Sequence, residues 1–352
     1  MCKKFKCFLL IFALLLFIPS ISANAETEKV VIGGEAFGLK LYCKGVMIIN
    51  FEFFDYNGTN VCPAKSSGLQ ISDIITEVNG NKVTDNESVE KIIRKSNGNP
   101  INLKVLRNKD NLNITVCPKL KDNKYYCVGM WIRDSCAGIG TISYYDKTNM
   151  TYAALGHGIC DIDTGNIVKP STGETLNACI SGISKSSNNN IGSLNGYFTD
   201  EIIGTVTDNN DFGIYGKAIN IPKGKEEYEV ADYSEITEGK ATLFTTLNGT
   251  KPQKYEIEIC KILNYDENSN RNFIVKMTDK RLLNKTGGIV QGMSGSPIVQ
   301  NGKFVGAITH VFVESCNQGY GIFAKNMVSK TTPPAQTSRV HINILSIYSV
   351  EL

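Results

Sequence analysis

Residues 287–298 read Gly-Gly-Ile-Val-Gln-Gly-Met-Ser-Gly-Ser-Pro-Ile, and a strand-like run, 303–309, follows at once. Recurring glycine and a closing proline disfavour a helix there and predict a tight turn between strands. Within that turn Ser294 is held between Gly292 and Gly295. Nucleophilic serine chemistry needs such a setting, because the turn exposes Oγ and aims backbone N–H groups at a developing oxyanion. Taken alone, the stretch reads as a plain glycine-rich hairpin before it reads as a catalytic turn. The rest of the chain decides between the two.

The chain has 352 residues, enough for two domains of ordinary size. Its formal charge of +3 comes without a basic run, so nothing points to nucleic acid. Residues 1–6 carry three lysines, 8–18 are almost wholly apolar, and Ala23-Asn24-Ala25 is a small-x-small triplet. That order predicts a secretory signal over 1–25, with a retained signal anchor as the alternative. Either reading puts the body of the protein outside the cytoplasm. Of eleven cysteines, Cys2 and Cys7 lie in this segment. The nine others are scattered and contain no Cys-x-x-Cys pair, so no metal site and no cofactor are predicted.

From 28 to 118 the sequence alternates short β-like runs with turns. Asn79-Gly80 marks a tight hairpin, and Val89, Ile92 and Ile93 fall on one face of a predicted helix that Asn97-Gly98 stops. The segment Asp73-Ile74-Ile75-Thr76-Glu77-Val78-Asn79-Gly80 resembles PDZ domains, which implies a small α+β unit over 28–118. By that resemblance Phe37-Gly38-Leu39 is the loop that receives a peptide's terminal carboxylate, the peptide adding as a strand beside the helix. The partner implied is a peptide C-terminus or an internal segment. The alternative is a groove filled by the chain itself.

A polar linker, 119–124, leads to a second region in which short apolar runs recur between turns with little helical periodicity, predicting a closed or sandwiched all-β domain over 125–328. His157, flanked by Gly156 and Gly158, is the candidate general base for Ser294. His310 follows the nucleophile strand closely and His341 lies in a polar tail, so both are poorer candidates. A third member must be a carboxylate that orients the imidazole. Residue chemistry leaves Asp161, Asp163, Asp208, Asp211 and Asp279 open, with Asp211 and Asp279 between His157 and Ser294 in chain order.

This second domain resembles the stage IV sporulation protein B peptidases of spore-forming bacteria. The resemblance is carried by Trp131-Ile132-Arg133-Asp134-Ser135, Leu155-Gly156-His157, Asp161-Ile162-Asp163-Thr164, Thr278-Asp279, Lys285 through Ile298, and Thr309-His310-Val311. It implies a mainly β protein in which a PDZ domain precedes a chymotrypsin-like β-barrel serine peptidase. His157, Asp279 and Ser294 then take the base, orienting and nucleophilic roles, with Asp211 in reserve for Asp279, and the N–H groups of Gly292 and Ser294 form the oxyanion hole. The resemblance further implies an exported endopeptidase of sporulation that cleaves itself and a membrane-bound regulator. That cut triggers an intramembrane protease and, through it, a late mother-cell sigma factor. A catalytically silent envelope scaffold and a general quality-control protease are the alternatives. The tail, 329–352, matches no family pattern, and Thr331-Thr332-Pro333-Pro334 predicts poor order up to about Arg339.

Overall fold

The structure is a computed structural model that describes residues 28–330, save 188 and 264. The predicted signal, His341 and nearly all of the tail lie outside the described residues. Two long strands organise the rest. After β1 (Lys29–Ile32), β2 (Ala36–Phe51) runs the length of the first half. The strands Phe54–Tyr56 (β3), Thr59–Val61 (β4), Ile74–Val78 (β5), Asn81–Lys82 (β6), Ile101–Arg107 (β7) and Asp110–Val116 (β8) follow, with helices at Pro63–Ser66 and Asn86–Lys95. Next come β9 (Lys119–Lys121), β10 (Tyr125–Cys127) and the second long strand, β11 (Met130–Asp146).

Strands β12 (Thr151–Ala154), β13 (Pro170–Ser184), β14 (Ser193–Asn210) and β15 (Gly213–Ala218) complete the first barrel. Its ring is β11, β2, β13, β14, β15, β12 and back to β11, antiparallel at every step. Phe37, Leu39, Leu41, Ile142, Tyr152 and Ile214 fill it. After β16 (Glu227–Val230), the second barrel is built from β17 (Gly239–Thr245), β18 (Gln253–Ile262), β19 (Phe273–Met277), β20 (Pro297–Gln300), β21 (Lys303–Val311) and β22 (Gln318–Phe323). Its ring, β17, β18, β19, β22, β21, β20 and back to β17, also closes antiparallel. Closure leaves neither barrel an open edge. β1 ties the two together, pairing with β11 on one side and with β16 on the other, while β16 pairs with β21.

The PDZ-like unit has its own core of Val46, Ile48, Ile75, Val78, Val89, Ile93, Ile101, Leu103 and Val105. Its local features follow the sequence reading. Asn79 (φ 51°) and Gly80 (φ 77°) make the hairpin turn, and Asn97 (φ 51°) ends the helix. Asp85 caps that helix by accepting the Ser88 N–H at 2.7 Å.

The domain boundary differs from the expected 28–118. Residues 29–43 belong to the first barrel, and β2 passes from barrel to PDZ-like unit at Gly45, where a Cβ would meet the Ile75 carbonyl oxygen at 2.1 Å. The Phe37-Gly38-Leu39 assignment is corrected with it. Gly38 pairs with Ile139 of β11 and Leu176 of β13, so these residues are barrel strand with both edges taken and form no carboxylate-receiving loop. The predicted linker is also structured, as the β9–β10 hairpin. Beyond it, Met130 to Arg133 pair antiparallel with Phe51 to Met47, while Val128, Met130 and Ile132 pack into the PDZ-like core. The chain's own strand therefore lies along the β2 edge where a PDZ ligand would add. A hollow of about 470 Å³ remains between the Asn86–Lys95 helix and residues 125–132.

These pairings predict that the peptidase half cannot fold without the N-terminal strands. A chain begun at residue 119 would lack the barrel positions of Val31, Phe37, Leu39 and Leu41, each buried. It is expected to show no cooperative thermal transition by circular dichroism, whereas a chain begun at residue 28 melts cooperatively.

Candidate active site

The turn carrying Ser294 is built by the two glycines around it. Gly292 sits at φ 97° and Gly295 at φ 90°, both in a region that side-chain-bearing residues avoid. A Cβ at Gly295 would also lie 2.1 Å from the Thr141 carbonyl oxygen. The turn is clamped from the first barrel by β11. Thr141 Oγ1 donates to the Gly292 carbonyl (2.7 Å), the Thr141 N–H to the Ser294 carbonyl (3.1 Å), and Ser143 Oγ to the Gly295 carbonyl (2.8 Å).

Two further bonds orient the predicted oxyanion donors. The Gln291 carbonyl accepts the Leu194 N–H at 2.8 Å and the Met293 carbonyl accepts the Ser296 N–H at 3.0 Å. A trans peptide points its N–H opposite its C=O, so the N–H groups of Gly292 and Ser294 are fixed facing away from those donors. Neither N–H finds a protein acceptor among the described residues. Ser296, the other serine of the motif, is fully buried with its hydroxyl on Thr245 Oγ1 (3.0 Å), which removes it as a nucleophile.

His157 follows β12 through a turn in which Leu155 (φ 70°) and Gly156 (φ 69°) are both left-handed. That conformation is strained for leucine. It is held by the Leu155 N–H on the Thr141 carbonyl (3.2 Å) and the Gly156 N–H on the Ala154 carbonyl (2.9 Å). His157 Nδ1 lies 2.9 Å from the Gly158 carbonyl oxygen. A carbonyl only accepts, so Nδ1 carries the proton and Nε2 keeps the lone pair. Burial pushes the His157 pKa below the ordinary imidazole value, only partly offset by that bond, and favours the neutral base. His157 and Ser294 line one cleft of about 240 Å³, with Phe37, Leu39, Ile139 and Gly140 among its walls. Two of the residues expected to seize a peptide in the PDZ-like unit, Phe37 and Leu39, thus line this cleft instead.

The Ser294 hydroxyl donates to the Thr309 carbonyl at 2.8 Å, so its single proton is not on the imidazole. His310, set aside in the sequence, packs against His157 with ring centroids 4.8 Å apart and the ring planes tilted by 35°. Its pKa falls to about 4, chiefly through burial and then through His157 and Arg271. What could have pointed to it is geometry: β21 doubles back along the nucleophile turn, with the Gly295 N–H on the Ile308 carbonyl at 2.8 Å.

Asp279 is not brought to His157. It caps the helix Lys280–Thr286, accepting the Arg281 N–H (2.8 Å), the Arg281 guanidinium (2.7 Å) and the Glu256 N–H (3.3 Å). Its carboxylate is therefore spent on a helix end and an ion pair, and it borders a separate depression with Lys240, Tyr255 and Arg281. The reserve, Asp211, is exposed at the β14–β15 turn. Asp208 is exposed and accepts from Asn210, and Asp161 and Asp163 are held by Arg133. Among the described residues no carboxylate bonds the imidazole, and the Gly158 carbonyl occupies the orienting position. Nor do the described residues group three or more histidine, cysteine or acidic side chains able to hold a metal ion. The nine described cysteines are all free thiols.

Two closed antiparallel barrels, the imidazole delivered by the first and the serine turn by the second, define a serine peptidase of chymotrypsin-like architecture, with a PDZ domain set into the first barrel's chain. The chain belongs to the SpoIVB peptidase family S55, whose family model matches residues 124–328, and a PDZ domain model matches residues 44–117. Among solved structures it is similar to Rv3671c of M. tuberculosis H37Rv in two inactive forms. A serine-to-alanine mutant has 11% identity and a TM-score of 0.33 over 55% of this chain and 80% of that one. The Rv3671c protease itself has 11% identity and a TM-score of 0.33 over 54% and 81%. No curated protein matches the chain.

The cap assignment carries a prediction. Asp279→Ala should lower stability by about 1 kcal/mol, as loss of an N-cap does. Arg281 foremost holds the Asp279 carboxyl at a pKa of about 2, with burial opposing. The contribution is therefore complete above the unfolded value near 3.8 and lost as pH falls through about 2. Paired urea melts of wild type and variant should diverge at pH 7 and converge near pH 2.

Proposed function

We propose that the protein is an exported serine endopeptidase of sporulation in which Ser294 is the nucleophile and His157 the general base. What carries the reading is the pair of oriented, unpartnered N–H groups of Gly292 and Ser294 on the cleft that holds a neutral His157. Substrate entry rotates the Ser294 hydroxyl off the Thr309 carbonyl to Nε2. Oγ then attacks the scissile carbonyl carbon as its proton passes to the imidazole, and the two N–H groups stabilise the oxyanion. The imidazolium returns that proton to the leaving amine. Water, deprotonated by the same nitrogen, hydrolyses the acyl-enzyme and releases Ser294.

Membership of the SpoIVB peptidase family supports the finer reading: self-cleavage, and a cut in a membrane-anchored regulatory protein that starts intramembrane proteolysis and sigma-factor activation. The N-terminal order of lysines, apolar run and small-x-small triplet supports export, into the space between forespore and mother-cell membranes. The apolar cleft wall of Phe37, Leu39 and Ile139 favours substrates that place an apolar side chain there.

Mass spectrometry of purified wild type beside Ser294→Ala tests this. Wild type should yield self-cleavage products and label with a fluorophosphonate, and the variant should do neither, with peptide hydrolysis reduced by about 10³-fold or more. Wild-type hydrolysis by Ser294→Ala would sink the assignment, and an unlabelled, inactive wild type would favour the scaffold alternative. Because burial holds His157 below 6.5, the acid limb of kcat/KM should fall below pH 6.5, activity being lost only as pH drops through the lowered value.

A further inference from the structure

Arg133 lies where the strand filling the PDZ groove leaves that groove for the barrel. Its backbone pairs with Met47 of β2, and the preceding side chains Val128, Met130 and Ile132 alternate into the PDZ core. By the same alternation Arg133 projects from the other face. Its guanidinium forks across two carboxylates of the segment that follows the catalytic histidine, Nη1 to Asp161 Oδ2 at 2.5 Å and Nη2 to Asp163 Oδ2 at 2.6 Å. The Asp161 side chain is wholly buried, and its other oxygen accepts the N–H groups of Asp163 (3.1 Å) and Thr164 (3.0 Å).

We infer that Arg133 is a positioning residue for His157, and that the PDZ domain acts on catalysis in cis, by holding the strand that carries Arg133. This rests on the reading of Ser294 and His157 as nucleophile and base. With no carboxylate on the imidazole, the base takes its tautomer and direction from the Gly158 peptide, so whatever fixes the loop fixes the base. Asn209 holds the loop from β14 through Ile159 and Val168, and Asn166 reaches Ser72 of the PDZ domain. Among the described residues Arg133 supplies the ion pairs from the groove strand to this loop, in a charge-assisted fork that lysine cannot reproduce. At the next residue the Asp134 carboxylate accepts the Asn86 N–H of the groove helix, so the groove and the loop are fastened at adjacent residues.

The test compares full-length wild type, Arg133→Gln, Arg133→Lys, Asp161→Asn, Ile132→Asp and Ser294→Ala for hydrolysis of a short peptide and for hydrogen exchange followed by mass spectrometry. Arg133→Gln should lower kcat by roughly 10- to 100-fold with KM nearly kept, as misplacement of a base does. It should speed exchange in 158–168 and leave 128–132 protected. Arg133→Lys should recover part of kcat, and Arg133→Gln with Asp161→Asn should be no worse than Arg133→Gln alone. Ile132→Asp, which pushes the strand from the groove, should speed exchange in both segments. A folded Arg133→Gln with wild-type kcat and unchanged exchange in 158–168 overturns the inference, as does a lowered melting temperature with kcat intact. If Arg133→Gln does not fold, Arg133→Lys decides by the same kcat criterion. Activity surviving in Ser294→Ala would instead remove the catalytic reading, while the exchange comparison still reports whether Arg133 holds the loop.

Discussion

The antiparallel pairing of β2 with β11 is the constraint on which the rest of the molecule depends. It runs from Met130 against Phe51 to Thr141 against Ala36, interrupted by irregularities at Trp131/Ile132 and Arg133/Ser135. Along β11 the roles fall in sequence. Residues 128–132 fill the PDZ groove, Arg133 reaches the His157 loop, 138–140 wall the cleft, and Thr141 and Ser143 clamp the nucleophile turn. One strand thus meets every part of the site, and a strand pinned by hydrogen bonds along its length moves as a unit. The PDZ domain is built into the peptidase and is not a module appended to it.

That architecture explains which features were legible in the sequence. The tight turn around Ser294 was, because the demand that Gly292 and Gly295 take positive φ is local and glycine meets it visibly. His157 stood out for a similar reason, between glycines with few rivals, and it lines the same cleft as Ser294. The β-rich second half was readable as well, since runs such as 303–309 carry their own propensity. The Asn79-Gly80 hairpin and the capped Asn86–Lys95 helix belong to the same class of short-range signal.

What sequence could not give is partner choice. Gly45 and the irregularity near Arg133 look like breaks, so two long strands read as several short ones, and the PDZ unit was begun at 28 although residues 29–43 belong to the barrel. Phe37-Gly38-Leu39 fits a carboxylate loop locally, and only the pairing of Gly38 with both Ile139 and Leu176 shows that its edges are taken. Asp279 lies at the spacing before Ser294 that the family pattern suggests, yet spacing does not say what a carboxylate bonds. Arg281, two residues on, and the helix beginning at Lys280 compete for it and win. His310 was discounted for its closeness to Ser294 in sequence, although a hairpin return is what brings such a neighbour alongside.

The protonation pattern follows from the same packing. Two imidazoles packed with centroids 4.8 Å apart in a half-buried site cannot both carry charge at moderate cost, and burial already disfavours the first proton. Both are therefore held neutral, and no carboxylate stands ready to stabilise an imidazolium. The Ser294 proton meanwhile rests on the Thr309 carbonyl, an acceptor that cannot take it away. On the proposed reading, a nucleophile held on a carbonyl beside an unprotonated base is poised without being activated. Activation then requires only rotation about the Ser294 side chain, because the oxyanion donors are already oriented by Leu194 and Ser296. The charge that develops on His157 during attack must be met by the oxyanion itself and by the Gly158 carbonyl. The proposed chemistry then depends on a substrate that fills the cleft and excludes water, so that fit precedes reaction.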